Sequence, residues 1–254
     1  MSDPLEEPAA APETRLRLTP GEVHVWYAWV ADCGSPRNLG RYRRMLDPSE
    51  TQRLDRLLTA PLKVEFLLTR ALCRETLSRY ANVPPQDWQF ELNPYGKPAI
   101  AAPRWATSLK FNLSNTRTLV ACAVVLDAEV GIDVERWDRP CDTLPIASQV
   151  SSAAEMYALR ACPEHLRHRS FYELWTLKEA YVKARGMGMS IPLDQVSFVP
   201  NAVPIRAEIA AEQGDDARAW QFEQADLGSD HLLALAIRQK GSAKSRVVIN
   251  EARL

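Results

Sequence analysis

The stretch 119-LVACAVVLDAEVGIDVE-135 holds two apolar runs, 119–126 and 130–135, separated by Asp127, Ala128 and Glu129. Runs of this length, rich in Val and Ile and bounded by polar residues, read as strands. So short a connection leaves no room for a crossover helix, which points to antiparallel sheet rather than a β-α-β repeat. The second run alternates. Ile132 and Val134 take one face of a pleated strand, toward the core, while Asp133 and Glu135 share the other.

Upstream, EVHVWYAWV (22–30) alternates as a half-buried strand, and DPSETQRLDRLL opens with a helix start: Asp47, Pro48, then Glu50 three residues after the cap. Residues 62–80 carry a helical period that stops before NVPP, and WQFEL and LKFNLS follow as strands. Downstream, a helix near 150–160 precedes a second one running from near His168 to Gly186, and QVSFV, RAWQFEQ and HLLALAIR read as strands. The pattern predicts an α+β fold of two similar halves, a pseudo-dimer in one chain, each with an antiparallel sheet packed by helices. The halves are expected at 21–127 and 128–240, flanked by a disordered acidic, Pro/Ala-rich tail at 1–20 and a loosely held tail at 241–254.

Composition narrows the function classes. The formal net charge of −1 gives no global attraction to nucleic acid or anionic membrane, and no apolar run approaches the roughly 20 residues that cross a bilayer. The N-terminus lacks the basic leader and apolar core of a signal peptide. Five cysteines without a C-x-x-C spacing argue against a disulfide framework or structural zinc and for a reducing cytoplasm. Cys122, inside the apolar run, reads as a core residue. From Arg37 to Arg79, ten Lys/Arg stand against five Asp/Glu, a local excess suited to an acidic partner. Aromatic residues are not interleaved among these arginines, so nucleic acid is a poor choice.

Four motifs carry chemistry. Asp133 and Glu135 on one strand face are a seat for a hard divalent cation; the plainer reading is a strand whose polar face meets solvent. In WTLKEAYVKARG (175–186), Glu179 and Lys183 lie one helical turn apart, either as a surface salt bridge or as reacting groups. That helix is otherwise apolar enough to be packed, and charged residues on a packed helix need partners or a ligand. NPYGKPAI (93–100) is turn chemistry that sets Lys97 on a stiff loop. FNLSNT (111–116) ends a strand in Ser114, Asn115 and Thr116, which close turns or donate hydrogen bonds to phosphate. His165 and His168 read as surface residues.

In chain order, GKP, FNLSNT, GIDVE and WTLKEAYVKARGMG resemble the motif series of the 4′-phosphopantetheinyl transferases, Sfp-type branch, over about residues 46–193. The resemblance implies a Mg2+ site at Asp133, Glu135 and Glu179, and coenzyme A as co-substrate. It implies Lys183 and Lys178 beside the coenzyme A pyrophosphate, and Lys97, Ser114 and Arg53 at its 3′-phosphate. Asn115 stands where the family usually has histidine, and Glu50 where a basic residue is usual. Both departures imply weaker nucleotide binding with unchanged chemistry.

The activity so implied is transfer of the phosphopantetheine arm to a serine of an acyl or peptidyl carrier protein, releasing 3′,5′-ADP. Glu179 is then ligand or base and Lys183 stabilises the leaving phosphate, both catalytic. A monomer is the expected state, and the basic 37–79 region is the expected carrier contact. Two alternatives stay open at this level: an impaired relative that only binds coenzyme A or carrier protein, and a different Mg2+-dependent phosphotransferase or hydrolase.

Overall fold

The structure, a computed structural model, describes residues 15–138, 141–199, 202–239, 241 and 243–254. Its helices are α1 (Val30–Cys33), α2 (Pro36–Arg43), α3 (Pro48–Arg56), α4 (Ala60–Tyr80), α5 (Thr143–Val150), α6 (Ala153–Ala161) and α7 (Glu164–Arg185). The strands of the first half are β1 (Glu22–Trp29), β2 (Gln89–Leu92), β3 (Pro98–Ala102), β4 (Leu109–Asn115) and β5 (Leu119–Leu126). Those that follow are β6 (Val130–Arg136), β7 (Val196–Phe198), β8 (Ala207–Ile209), β9 (Trp220–Leu227), β10 (His231–Arg238) and β11 (Arg246–Glu251).

The two halves repeat one topology. The first sheet orders its strands β1-β5-β4, and the second orders them β6-β10-β9, so in each the first strand pairs with the last and the last with the middle one. All these pairings are antiparallel. Each half also carries a small hairpin, β2-β3 or β7-β8, and one long helix, α4 or α7.

The sheets pack face to face. Val23 and Val25 of β1, Ala121 and Ala123 of β5, Ile132 and Val134 of β6, and Leu233 and Leu235 of β10 form the core between them. The outer faces are covered by α4, against Trp26 and Cys122, and by α7, against Phe222, Leu232 and Ala234. Both faces of β5 are therefore dry, which explains an unbroken apolar run where a solvated sheet would alternate. Burying apolar surface on both sides of the sheets supplies most of the drive for this arrangement.

Two expectations about the ends change. The segment 241–254 is not loose, because β11 extends the first sheet by pairing parallel with β1. Val247 reaches the inter-sheet core and Ala252 is buried among the α4 contacts, which is why the end is held. Of the tail expected at 1–20, residues 1–14 lie outside the described residues. Its last part is anchored: Leu16 N donates to Arg79 O at 2.9 Å and Leu18 is buried. The sequence reading also missed α1, α2, α5, β3 and β8, all short, and it started α7 one turn late. No helix among the described residues is long and apolar enough to cross a membrane.

Candidate active site

The site forms where α7 lies on β6. Gly131, Asp133 and Glu135 share the α7-facing side of β6. A Cβ on Gly131 would stand 2.0 Å from Ala180 O and 2.4 Å from Ala184 N, so only glycine admits the helix at this distance. That close approach brings Glu179 and Lys183 of α7 beside Asp133.

Lys183 Nζ lies 2.7 Å from Asp133 Oδ1 and 2.9 Å from Ser114 Oγ, and Ser114 Oγ donates to the same Asp133 oxygen at 3.0 Å. Asp133 is buried, and its Oδ2 has no hydrogen-bond partner among the described residues. Glu179 is half-buried at the cleft wall. Burial first, then the nearby Asp133 carboxylate, push its carboxyl above the usual range, against the opposing pull of Lys183. Two carboxylates facing a shared space with too little positive charge, one of them with an unpartnered buried oxygen, suit a hard divalent cation. Glu135 is on the same face of β6 but makes other contacts. Among the described residues no three His, Cys, Asp or Glu side chains gather closely enough to hold a metal ion. The acidic trio is thus present as an adjacent pair plus Glu135, with the Lys183 ammonium taking one oxygen of Asp133.

β4 supports this arrangement from the other half. β4 and β6 are facing edge strands, and side chains replace the missing ladder between them. Asn112 Oδ1 accepts from Ile132 N at 3.0 Å and Ser114 Oγ accepts from Val134 N at 3.1 Å. Asn112 was not singled out from sequence; the signal for it is the alternation of Asn112 and Ser114 in an otherwise apolar strand.

A cleft of about 560 Å³ opens between the halves at this point, with Glu179 and Lys183 on one side and Arg53, Arg70, Lys97 and Asn115 around the rest. Arg70, also not singled out from sequence, pairs with Glu50 at 3.4 Å, and both Arg70 and Arg53 lie over the Phe66 ring. Glu50 itself is buried, completes a capping box with Asp47 and pairs with the fully buried Arg74 at 2.5 Å. It is a structural anchor for α3 and α4.

Three expected ligand residues are engaged elsewhere. Lys178 points away from the cleft: it is fully buried, bonded to Leu193 O at 2.8 Å, to Val196 O and to Glu155 at 2.8 Å. Glu155 is equally buried, caps α6 and accepts from Phe198 N, so the pair ties α6 and β7 to α7. Desolvation lowers the Lys178 ammonium's pKa, with Glu155 opposing. Lys97 lines the cleft, yet its Nζ donates to Ala184 O at 2.7 Å, to Val130 O at 3.4 Å and to Glu129 at 3.3 Å. With Asn93, whose Nδ2 donates to Gly186 O at 2.7 Å, it closes the carbonyl end of α7, where a cation also suits the helix dipole. Ser114 serves Asp133 and Lys183 as described.

Residues 129–236 match the family model described as the 4′-phosphopantetheinyl transferase superfamily. Over 69% of its length the chain is 32% identical to the 4′-phosphopantetheinyl transferase HetI of a Nostoc species, covering 73% of that protein. The chain belongs to the 4′-phosphopantetheinyl transferase superfamily. Within this superfamily it is also 31% identical to the 4′-phosphopantetheinyl transferase Sfp of Bacillus subtilis, over 62% of this chain and 67% of that one. The holo-[acyl-carrier-protein] synthase of Thermotoga maritima superposes with a TM-score of 0.37 at 20% identity, over 44% of this chain and 64% of that one. For a phosphopantetheinyl transferase, the geometry divides the expected site residues. Asp133, Glu179 and Lys183 converge, with Ser114 beneath them; Arg53, Lys97 and Asn115 ring the same cleft; Lys178 is apart.

Proposed function

We propose that this chain transfers the 4′-phosphopantetheine arm of coenzyme A to a serine hydroxyl of an acyl or peptidyl carrier protein, releasing 3′,5′-ADP. The observation that carries the reading is the convergence of Glu179, Asp133 and Lys183 at the cleft between the halves, in a chain of this superfamily. Phosphoryl transfer asks a protein mainly for positioning and charge neutralisation, and these three groups suit that task.

Asp133 and Glu179, with Glu135 from the same strand face, would hold Mg2+. When bound, the ion would supply Lewis-acid neutralisation of the pyrophosphate. Lys183 binds and orients the phosphate that leaves, its ammonium freed from Asp133 as the substrate enters. Glu179, whose carboxyl burial pushes toward higher pKa, accepts the proton of the incoming serine. Ser114 holds Asp133 Oδ1 in place beside Lys183. The basic residues of α2–α4 face an acidic carrier surface. The cleft is completed by the two halves of one chain, so a monomer suffices.

Incubation of an apo carrier protein with this protein, coenzyme A and Mg2+, read by intact-mass spectrometry, tests the reading. A gain of one phosphopantetheine that EDTA abolishes is expected. No gain on fatty-acid, polyketide and peptide carriers alike would refute it.

A further inference from the structure

The cysteines of this chain stand in very different surroundings. Cys33, Cys73 and Cys122 are buried in the core of the first half, and half-buried Cys162 lies 3.6 Å from the Ser170 hydroxyl. Cys141, between β6 and α5, is exposed. Its Sγ stands 3.5 Å from His168 Nε2 and 3.7 Å from Tyr172 Oη, two residues one turn apart on α7. Tyr172 is buried in the core of the second half, with its ring edge-on to Phe171. Its ring also backs the histidine, at 5.2 Å between centroids. Spacing alone gives His168 as a surface residue; the fold brings it against a thiol.

A thiol reacts as its anion, so a free cysteine becomes a nucleophile where a base can take its proton. In the tautomer protonated at Nδ1, His168 Nε2 is that base. The imidazolium so formed holds the thiolate by charge, and the Tyr172 hydroxyl donates to the same sulfur. Among the described residues no third His, Cys, Asp or Glu comes close enough to make this pair a metal site. None of the three residues lines the active cleft, so the transfer reaction does not use them.

We propose that Cys141 is a site of reversible thiol modification, at which His168 promotes exchange with a low-molecular-weight disulfide. The Cys141 sulfur attacks one sulfur of the incoming disulfide, and the new S–S bond forms as the old one breaks. The electron pair of the broken bond leaves with the second sulfur. The Cys141 proton passes to His168 and from there to that sulfur, which departs as a free thiol. Excess thiol runs the same exchange backwards. No step depends on the transferase reading.

Oxidised glutathione is the probe. The full chain is incubated with it at neutral pH, quenched by alkylation at timed intervals, and each cysteine is read by peptide mass spectrometry. Cys141 should form the mixed disulfide about tenfold or more faster than Cys162, with the three buried thiols unmodified over the same period. His168→Gln should slow Cys141 by about fivefold or more, while the Cys162 rate and the Tm keep their native values. Those two controls separate a lost base from a disturbed fold. A Cys141 rate less than about tenfold above that of Cys162 overturns the inference. So does a His168→Gln chain, native in Tm, whose Cys141 rate falls by less than about fivefold.

Discussion

Lys183 Nζ stands 2.7 Å from Asp133 Oδ1, across the gap between α7 and β6, and makes no ion pair with Glu179 one turn earlier on its own helix. The i,i+4 spacing that would give a surface salt bridge instead delivers a cation to the partner strand. A double-mutant cycle of Lys183→Met and Asp133→Asn should therefore show a coupling of roughly 1–3 kcal/mol in urea unfolding at neutral pH. Additive effects within a few tenths of a kcal/mol would contradict the contact.

Glu179→Gln should lower transfer by about a hundredfold or more while the fold is kept. Because burial and Asp133 already disfavour the charged form, the neutral amide should not lower Tm. Calorimetric Tm and carrier-modification rate on the same preparation check both halves of the expectation.

Gly131→Ala places a methyl against the backbone of Ala180 and Ala184, which cannot yield as a side chain tip would. The helix must move off β6, at a cost of about 1–3 kcal/mol. Transfer should fall further than stability does, since Glu179 and Lys183 move with the helix. Denaturant unfolding and activity measured together distinguish this from simple unfolding.

Lys178→Met leaves Glu155 buried without its cation and two carbonyls without their donor. Stability should drop by roughly 3–5 kcal/mol. The folded fraction should bind coenzyme A with native affinity, whereas a pyrophosphate ligand would lose affinity on the same substitution. Calorimetry below the new Tm decides between the two.

At Asp47, desolvation raises the carboxyl pKa, but the Glu50 amide, Ser49 and Arg74 outweigh it and the net pKa falls below 3.8. An acid depressed in the folded state contributes stability that is present above its unfolded pKa and lost as pH falls through the folded one. Asp47→Asn keeps a capping oxygen and removes the titration. Its urea midpoint should change less than the native one between about pH 5 and about pH 3.

Periodicity and spacing alone determined much of this protein. The alternation in GIDVE places Asp133 and Glu135 on the face opposite Ile132 and Val134, and the helical spacing places Glu179 and Lys183 one turn apart on one side of α7. The same helical geometry, about 100° per residue, already sets Lys178 away from both, a local constraint that motif order had obscured. The strand content, the two halves and the capping box at Asp47 follow from equally local rules. Partners do not. Ser114 turned to Asp133 because β4 and β6 meet as edges, Lys97 turned to Ala184 O because the β2-β3 hairpin abuts the end of α7, and Asn115 turned to Glu65 across 50 residues. The 241–254 end became β11 only because β1 had an open edge to receive it. A short-range pattern specifies which way a side chain points along its own element, while the group it meets depends on how elements distant in the chain pack. That packing minimises exposed apolar surface and unpaired polar groups over the whole molecule, and no local window contains it.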